Sequence, residues 1–472
     1  MSEVVSDQSR YLLNRKNSQK AIEAGLAEAE WYQSPIPRET LRELLVRRDG
    51  PAIRDTLVWF GIIFGAAAAT VALWGSLWAV FPYLIYAAIY AGSADSRWHE
   101  TLHGTAFKTD WMNSVLYEIA SFMVLREGVI WRWSHTRHHS DTIIVGRDPE
   151  IAAPRPPDIA GILLGLFAIR AYPQYFKNLF LHSVGKISER EMEFIPESEY
   201  PKVARTARVH LLVYFLVTVS SIVFQSWIPV LFIGLPNLFG TWLMLVYGLT
   251  QHTGLAEDVL DHRLNSRTFL TNRLNCFLYW NMNYHVEHHM FPLVPYHAVP
   301  RLHELMKDDC PPAYASLWSC WKEIVPTLER QCREPAYHVE RVLPESAGTD
   351  VQRTRRAGKL VDEEGWIDVC GGEELKSMDV LRCDHEERTY AIYRGSEGEL
   401  YATDGICTHG KTHLAEGLIV GKMIECPKHN GRFNLEDGGP ARKPVCKALK
   451  THEVKECDGR VFFRIGDRLV KN

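Results

Sequence analysis

The sequence predicts a multi-domain protein in which an α-helical membrane domain with four spans precedes a small all-β domain. Residues 56–94 and 209–256 contain no Asp, Glu, Lys or Arg, and each run is about twice the ~20 residues that one helix needs to cross a bilayer. The end of the chain differs, because it carries a paired Cys/His motif and a strand-like segment, Gly459-Arg460-Val461-Phe462-Phe463.

Each uncharged run predicts a helical hairpin. Turn residues divide the runs at Gly75-Ser76 and at Trp227-Ile228-Pro229, which places spans near 57–74, 77–94, 209–227 and 230–250. A buried helix pair in a soluble protein is the alternative, but soluble cores seldom contain uncharged runs of this length.

The charge distribution predicts the orientation in the membrane. Arg and Lys are frequent in the N-terminal segment and in the 95–208 connection, whereas the hairpin tips are short and uncharged. By the positive-inside tendency, we expect an integral protein of a bacterial inner membrane with both termini and the metal sites in the cytoplasm. The polar N-terminal segment shows no signal peptide, and ten cysteines, mostly outside motifs, fit a reducing compartment.

Four parts of the chain are expected. They are an N-terminal interfacial segment (1–52), the membrane domain (53–310), a helix and tether (311–358) and the C-terminal domain (359–472). The tether around Pro344-Glu345-Ser346-Ala347-Gly348 predicts a flexible connection of about 15 residues that spans on the order of 20 Å. This reach would keep the C-terminal domain at high local concentration near the membrane domain.

The C-terminal motif indicates an iron–sulfur cluster. Cys407-Thr408-His409 and Cys426-Pro427-Lys428-His429 supply two thiols and two imidazoles. In a Rieske [2Fe–2S] centre two His bind one iron and two Cys bind the other. A four-ligand zinc site is the alternative, but the tight loops at Gly410 and Asn430-Gly431 favour iron, because they can direct N–H groups at sulfides.

Residues 359–472 resemble the Rieske ferredoxin family. The resemblance extends to Pro444-Val445-Cys446 and Leu449-Lys450-Thr451, and it implies one [2Fe–2S] cluster held by Cys407, His409, Cys426 and His429. High-potential members carry an additional Cys in each ligand loop, and neither loop has one here. The chain is therefore similar to the ferredoxin-like, lower-potential branch.

Three histidine groups lie next to the apolar runs, and each has helical spacing that puts its imidazoles on one face. A further histidine, His252, ends the fourth span. Nine buried imidazoles would be costly without a cation, and they are too many for one metal. Imidazole suits iron, zinc and copper alike, but a redox donor in the same chain favours two non-haem irons. The predicted ligands are His99, His103, His135, His138, His139, His252, His285, His288 and His289.

The first group also matches a different enzyme class. His99-Glu100-Thr101-Leu102-His103 has the HExxH pattern of zinc metalloproteases, and some such proteases act within membranes. A zinc protease needs one further ligand rather than six and has no use for an iron–sulfur cluster. We therefore interpret Glu100 as a carboxylate that orients an imidazole.

Residues 30–310 resemble the membrane fatty acid desaturase superfamily. The boxes HxxxH, HxxHH and HxxHH are specific in combination, and the segment from Asn283 to His297 is similar to a bacterial branch that acts on small polar substrates. The resemblance implies four membrane helices, a cytoplasmic di-iron cap and O2-dependent attack on C–H bonds. Some acyl-CoA desaturases have an Asn that binds water one turn before the histidine of the last span, where this chain has Gly248.

The predicted function is an O2-dependent membrane oxidoreductase that hydroxylates, desaturates or oxidatively demethylates a lipid or small organic molecule. Its own Rieske cluster would relay electrons from a separate NAD(P)H-dependent ferredoxin reductase, because no nicotinamide or flavin fingerprint is present. No basic stripe suggests nucleic acid. The alternative is a membrane-anchored Rieske carrier that serves another oxygenase.

Overall fold

The computed structural model describes residues 8–27, 29–344, 355–410, 412–428 and 430–466. Within these ranges the chain is helical up to residue 333 and forms β-sheets from residue 355. The α-helices are α1 (Arg15–Glu23), α2 (Arg38–Leu44), α3 (Asp49–Ala72), α4 (Val80–Ala87), α5 (Ala94–His103), α6 (Asp110–Met123), α7 (Gly128–Ser140), α8 (Ile159–Gly165), α9 (Ala171–Ser183), α10 (Glu189–Met192), α11 (Tyr200–Val223), α12 (Pro236–His252), α13 (His262–Asn265), α14 (Arg273–Leu278), α15 (His285–Met290), α16 (Val299–Met306) and α17 (Leu317–Arg333).

Four helical segments of the described chain are long and apolar enough to cross a membrane. They are Arg38–Ala72, Leu77–His103, Glu197–Val223 and Val230–His252. The predicted four-span helical domain is confirmed, but the second span continues nine residues past its uncharged run, to His103. It can do so because its charged residues have polar partners within the protein. Asp95 forms an ion pair with Arg126, and the fully buried Arg97 donates to the carbonyl oxygen of Phe277 at 2.8 Å.

A glycine contact brings the second and fourth spans together. A Cβ on Gly240 of α12 would lie 1.8 Å from the carbonyl oxygen of Ala87 at the end of α4, so only glycine permits this approach. A π-helical turn, Ala88–Ser93, then joins α4 to α5. The close packing places the histidine-bearing ends of α5 and α12 side by side.

A buried charged network fixes the connection between the second and third spans. His182 on α9 has its Nδ1 2.7 Å from Glu127 Oε1 and its Nε2 3.2 Å from Glu191 Oε2. Burial alone would lower the pKa of His182, but hydrogen bonds to the two carboxylates outweigh it and raise the pKa to about 9. The protonated imidazole ties the start of α7 to α10.

The N-terminal segment covers part of the histidine-bearing region. The ring of Trp31 stacks on that of His262 with a centroid distance of 4.3 Å. The Arg263 guanidinium lies 3.6 Å from the ring centroid of Tyr32, whose backbone N–H donates to the carbonyl oxygen of Leu260 at 3.0 Å. This segment, to which the sequence assigns no chemistry, therefore packs directly against the candidate site.

The C-terminal part is the predicted small all-β domain, which is confirmed. The strands are β1 (Arg355–Ala357), β2 (Lys359–Leu360), β3 (Trp366–Gly371), β4 (Asp379–His385), β5 (Arg388–Arg394), β6 (Leu400–Asp404), β7 (Leu418–Val420), β8 (Met423–Glu425), β9 (Arg432–Asn434), β10 (Pro440–Arg442), β11 (Thr451–Cys457) and β12 (Arg460–Arg464). An eight-stranded sheet has the order β1-β4-β5-β6-β11-β12-β3-β2, and a four-stranded sheet has the order β10-β9-β8-β7. Most of the predicted tether, residues 345–354, lies outside the described residues.

Candidate metal centres

The structure brings all nine predicted histidines together at the ends of α5 and α12 and on α7 and α15. They form two groups, and within each group the ligand atoms lie within 4.8 Å of one another. The first and last histidines of each box, which are four residues apart, belong to the same group. The middle histidine of the second box and that of the third box each belong to the other group. The five-histidine group contains His99, His103, His135, His139 and His288, and the four-histidine group contains His138, His252, His285 and His289.

The inward ring nitrogens have the spacing of neighbouring ligands on one metal. In the five-histidine group, the Nε2 of His139 lies 3.1 Å from that of His135 and 3.2 Å from that of His288. In the four-histidine group, the Nε2 of His285 lies 3.0 Å from that of His252 and 3.1 Å from that of His289. Two ligands at right angles with metal–nitrogen distances of about 2.1 Å would be ~3.0 Å apart.

Outward ring nitrogens are held by acceptors that orient the rings. The Nδ1 of His135 lies 2.9 Å from Glu150, and the Nδ1 of His138 lies 2.8 Å from Asp148. The Nδ1 of His252 lies 2.8 Å from the carbonyl oxygen of Asn265. Such contacts fix the tautomer that turns Nε2 toward a metal. The sequence reasoning missed Asp148 and Glu150, whose only signal is their position shortly after the second box.

Burial favours the neutral form of four of these imidazoles, as metal binding requires, whereas at His138 burial is outweighed by the Asp148 carboxylate, which raises the pKa. Burial lowers the pKa of His139, His285, His288 and His289 far below the usual value, and neighbouring histidines lower each further. Within the described residues neither ring nitrogen of His99 has a hydrogen-bond partner, although the side chain is buried. An unpartnered buried imidazole is costly, and a cation would satisfy it. The residues therefore fit two metal ions.

Among the described residues Glu100 makes no hydrogen bond to an imidazole, and this corrects the interpretation from sequence. Its carboxylate accepts hydrogen bonds from the Thr105 hydroxyl at 2.7 Å and from the Tyr296 backbone N–H at 3.0 Å. Because Glu100 joins two segments of backbone, it is not placed as the general base that a zinc protease would require. Glu287 in the third box has a comparable role, since its carboxylate pairs with His303 and Thr268.

A tenth histidine lies beside the four-histidine group. The ring centroid of His262 is 5.0 Å from that of His289, and its Nδ1 is buried without a hydrogen-bond partner in the described chain. The sequence reasoning missed this residue, because His262 belongs to no histidine box. It is not a member of either ligand group.

A small polar cavity of about 90 Å3 adjoins both histidine groups, and histidines of each group form part of its wall. Asp95 pairs there with Arg126, and Arg155 Nε lies 3.2 Å from Glu257 Oε1. Pockets for drug-sized ligands are about 300–1,000 Å3 and mostly apolar. This cavity therefore suits a small molecule with hydrogen-bonding groups.

The two Cys/His loops of the C-terminal domain meet at a second buried site. Cys407 and Cys426 are 0% and 1% exposed, and all ten cysteines of the chain are free thiols. A hydrogen bond with the Cys426 thiol, helped by the N–H groups of Gly410 and His409, lowers the pKa of Cys407 to about 7. An easily ionised Cys407 thiol near backbone N–H groups, with Cys426 beside it, fits an iron–sulfur cluster. His429 lies outside the described residues.

The cluster-bearing loops face the membrane domain. The ring of His409 lies beside that of Trp133 on α7, with a centroid distance of 6.2 Å. The Glu425 side chain is fully buried and pairs with Arg47, which lies within the first candidate membrane span and so belongs to the membrane domain as the structure has it. Asp379 makes two further ion pairs across the junction, to Arg38 at 2.7 Å and to Arg42 at 3.0 Å. The two candidate metal centres thus belong to domains in direct contact.

Comparisons with known proteins identify both parts of the chain. The family model for fatty acid desaturases matches residues 74–321, and the model for the Rieske [2Fe-2S] domain matches residues 365–453. The ferredoxin component of the naphthalene 1,2-dioxygenase system of Pseudomonas aeruginosa is 42% identical over 100 residues, which is 21% of this chain and 95% of that protein.

A further relative and a solved structure are also similar to parts of this chain. A cholesterol 7-desaturase of Xenopus laevis is 32% identical over 158 residues, 31% of this chain and 35% of that protein. In a solved complex of oxygenase and ferredoxin in carbazole 1,9a-dioxygenase, one chain is 33% identical with a TM-score of 0.22, and the match covers 23% of this chain and 99% of that chain. The compounds in these names belong to those relatives.

The two family assignments also determine the cofactors. A Rieske domain implies a [2Fe–2S] cluster, and the desaturase family implies a di-iron centre within a histidine cluster, in agreement with the donor atoms described above. Because the desaturase match covers more than half of the sequence, the chain is an oxidoreductase that belongs to the fatty acid desaturase family and carries a Rieske domain at its C-terminal end.

Proposed function

We propose that the protein uses O2 and electrons from its own Rieske domain to attack an unactivated C–H bond of a small polar molecule. The observation that carries this proposal is the pair of histidine groups that both contribute to the wall of one polar cavity. The reaction is hydroxylation, desaturation or oxidative demethylation. The protein would lie in a bacterial inner membrane with its metal sites in the cytoplasm, and an NAD(P)H-dependent ferredoxin reductase would supply the electrons.

Each centre has its own set of proposed ligands. One iron is assigned to the five-histidine group and one to the four-histidine group, so that His252 is a ligand of the second. Cys407, His409, Cys426 and His429 are assigned to the [2Fe–2S] cluster. When bound, the cluster supplies single electrons and the two irons activate O2.

The side chains of the cavity would perform the remaining tasks. Glu150 accepts hydrogen bonds from His135 Nδ1 and from the Ser134 hydroxyl at 2.8 Å, so it holds the imidazole ring in one orientation. The paired charges of Asp95, Arg126, Arg155 and Glu257 offer donors and acceptors to a polar substrate. Because these groups are already paired, they favour a neutral or dipolar substrate over a long apolar chain.

The overall stoichiometry distinguishes the three reactions. Hydroxylation consumes R–H, O2, two electrons and two protons and gives R–OH and one water. Desaturation consumes the same reductants but removes two hydrogens from the substrate and gives two waters. If the hydroxylated carbon is a methyl group on oxygen or nitrogen, the product decomposes to formaldehyde and the demethylated compound.

The first test measures iron in the full-length protein in lipid nanodiscs. We expect about four irons per chain, two of them in the cluster. Cys407→Ser should lose the cluster spectrum and keep the other two, whereas His138→Ala should keep the cluster and lose turnover. Iron confined to the cluster, or a His138→Ala variant as active as wild type, would overturn the proposal and favour a membrane-anchored electron carrier.

The second test concerns the substrate. Purified protein receives NADH, a ferredoxin reductase and a panel that contains small polyols, methylated amines, ethers and acyl thioesters, and the products are identified by mass spectrometry. A gain of one oxygen, a loss of two hydrogens or a lost methyl group separates the three reactions. Turnover of acyl thioesters alone would contradict the assignment of a small polar substrate.

A further inference from the structure

The second Cys/His loop of the Rieske domain contacts both helices that carry the first two histidine boxes. The Asn430 amide donates to the carbonyl oxygen of His103, the last residue of α5. Lys428 Nζ donates to the carbonyl oxygen of Ser140, the last residue of α7, at 3.3 Å. The last carbonyl groups of a helix lack intrahelical partners and carry partial negative charge. A single loop therefore caps two histidine-bearing helices.

The shape of this contact depends on particular residues on both sides. Asn430 is 2% exposed and has a left-handed backbone, with φ of 56°, which turns its amide toward α5. Gly104, just after His103, is also left-handed, and a Cβ there would lie 2.1 Å from Arg442 Nη2 of the Rieske domain. The Rieske domain thus approaches the backbone at the end of α5.

Ion pairs hold the same loop from its other end. Glu425 directly precedes Cys426, and its fully buried carboxylate pairs with Arg47 of the membrane domain and with Arg432 at 2.7 Å. Arg432 in turn reaches Asp110 at the start of α6, at 3.1 Å. Buried pairs of this kind are costly to separate, because each leaves a charge without its partner.

We propose that Glu425, Lys428 and Asn430 form a docking loop that holds the Rieske domain in one fixed position over the histidine groups. Asn430 and Lys428 are positioning residues: Asn430 caps α5 and Lys428 caps α7. The Arg47–Glu425 pair anchors the loop. The inference rests on the proposed function, because the proposed supply of electrons from the Rieske domain is what the docking would serve. The partner that this surface fits is the chain's own membrane domain, in place of a freely diffusing ferredoxin.

The test compares variants of the full-length protein in nanodiscs. Asn430→Gly removes the amide but tolerates the left-handed backbone, and it is combined with Lys428→Met. Lys428→Arg keeps a cationic donor, and Lys422→Met is the matched control because Lys422 is exposed and pairs with Glu436 within the Rieske domain. Arg47→Met weakens the same contact from the other side of the junction and leaves the sequence of the cluster loops unchanged.

Two readouts are measured. Hydrogen–deuterium exchange of residues 425–434 and 100–108 reports docking, and the decay of the reduced-cluster EPR signal after mixing with O2 and substrate reports electron transfer. Loss of the two capping bonds should lower the docked-to-undocked ratio about tenfold. We expect faster exchange in the Lys428→Met/Asn430→Gly and Arg47→Met proteins, a decay that is slowed in proportion to the docked population lost, and unchanged cluster spectra.

The outcomes separate the docking proposal from the proposed function. Wild-type exchange in both the double variant and Arg47→Met, or an equal effect of Lys422→Met, overturns the docking loop. Exchange needs neither O2 nor substrate, so docking that responds as expected supports the loop even if no substrate is oxidised. In that case the proposed function fails and the docking loop stands.

Discussion

Removal of His252 tests the smaller histidine group most directly. His252 Nε2 lies 3.0 Å from His285 Nε2, and its Nδ1 is fixed by Asn265. Alanine would leave three imidazoles in this group, whereas His99→Ala would leave four in the other. Loss of an outer hydrogen-bond partner typically lowers metal affinity 10–100-fold. Loss of a ligand should therefore cost at least roughly 100-fold, or about 2.7 kcal/mol.

The assay is iron per chain by mass spectrometry after passage over a chelating resin, with the cluster measured separately by its absorbance. We expect His252→Ala to fall from about four irons to about three with an unchanged cluster. The control is His210→Asn, because His210 is buried but bonds to Tyr175 at 2.8 Å, away from both groups. Full iron content in His252→Ala, or an equal loss in His210→Asn, would refute the assignment.

Three further changes have defined outcomes. Asp148→Asn removes the carboxylate partner of His138 and should lower iron affinity 10–100-fold in chelator competition; an unchanged affinity would argue against the orienting role. Gly240→Val should destabilise the protein by about 1–3 kcal/mol or more and lower Tm in detergent, whereas Gly65→Val, with no atom within 4 Å of its added Cβ, should not; equal effects would contradict the packing argument. Because the pKa of His182 is raised to about 9, its contribution to stability is complete below about pH 6.5 and is lost as pH rises through about 9. The difference in Tm between wild type and His182→Gln should shrink over this range, and a constant difference would contradict the stabilising role of the protonated His182.

The membrane spans and the identity of the clustered histidines could be predicted from local patterns. A bilayer demands long uncharged helices, and spacing of three and four residues places imidazoles on one helix face. The division into groups could not be predicted, because adjacent residues such as His138 and His139 turn toward different groups only when four helices are packed. Asp148 and Glu150 likewise become recognisable only when the chain folds back on the second box.

The contact between the two domains also could not be predicted from local sequence patterns. The sequence predicts a flexible tether and therefore only a high local concentration of the Rieske domain. The structure instead contains a specific junction between Arg47 and Glu425, which are 378 residues apart in the chain. Such a contact depends on the complementary shapes and charges of two folded surfaces, and no pattern within either segment encodes it.

The occupied surface at the ends of α5 and α7 has a consequence for competition among electron carriers. A foreign ferredoxin could reach this surface only by displacing the attached domain, so added ferredoxin should neither inhibit the enzyme nor replace its own Rieske domain. Transfer between the two centres should also be first order, and its rate should not change on dilution. Conversely, while docked, the loop cannot present the same contacts to another oxygenase.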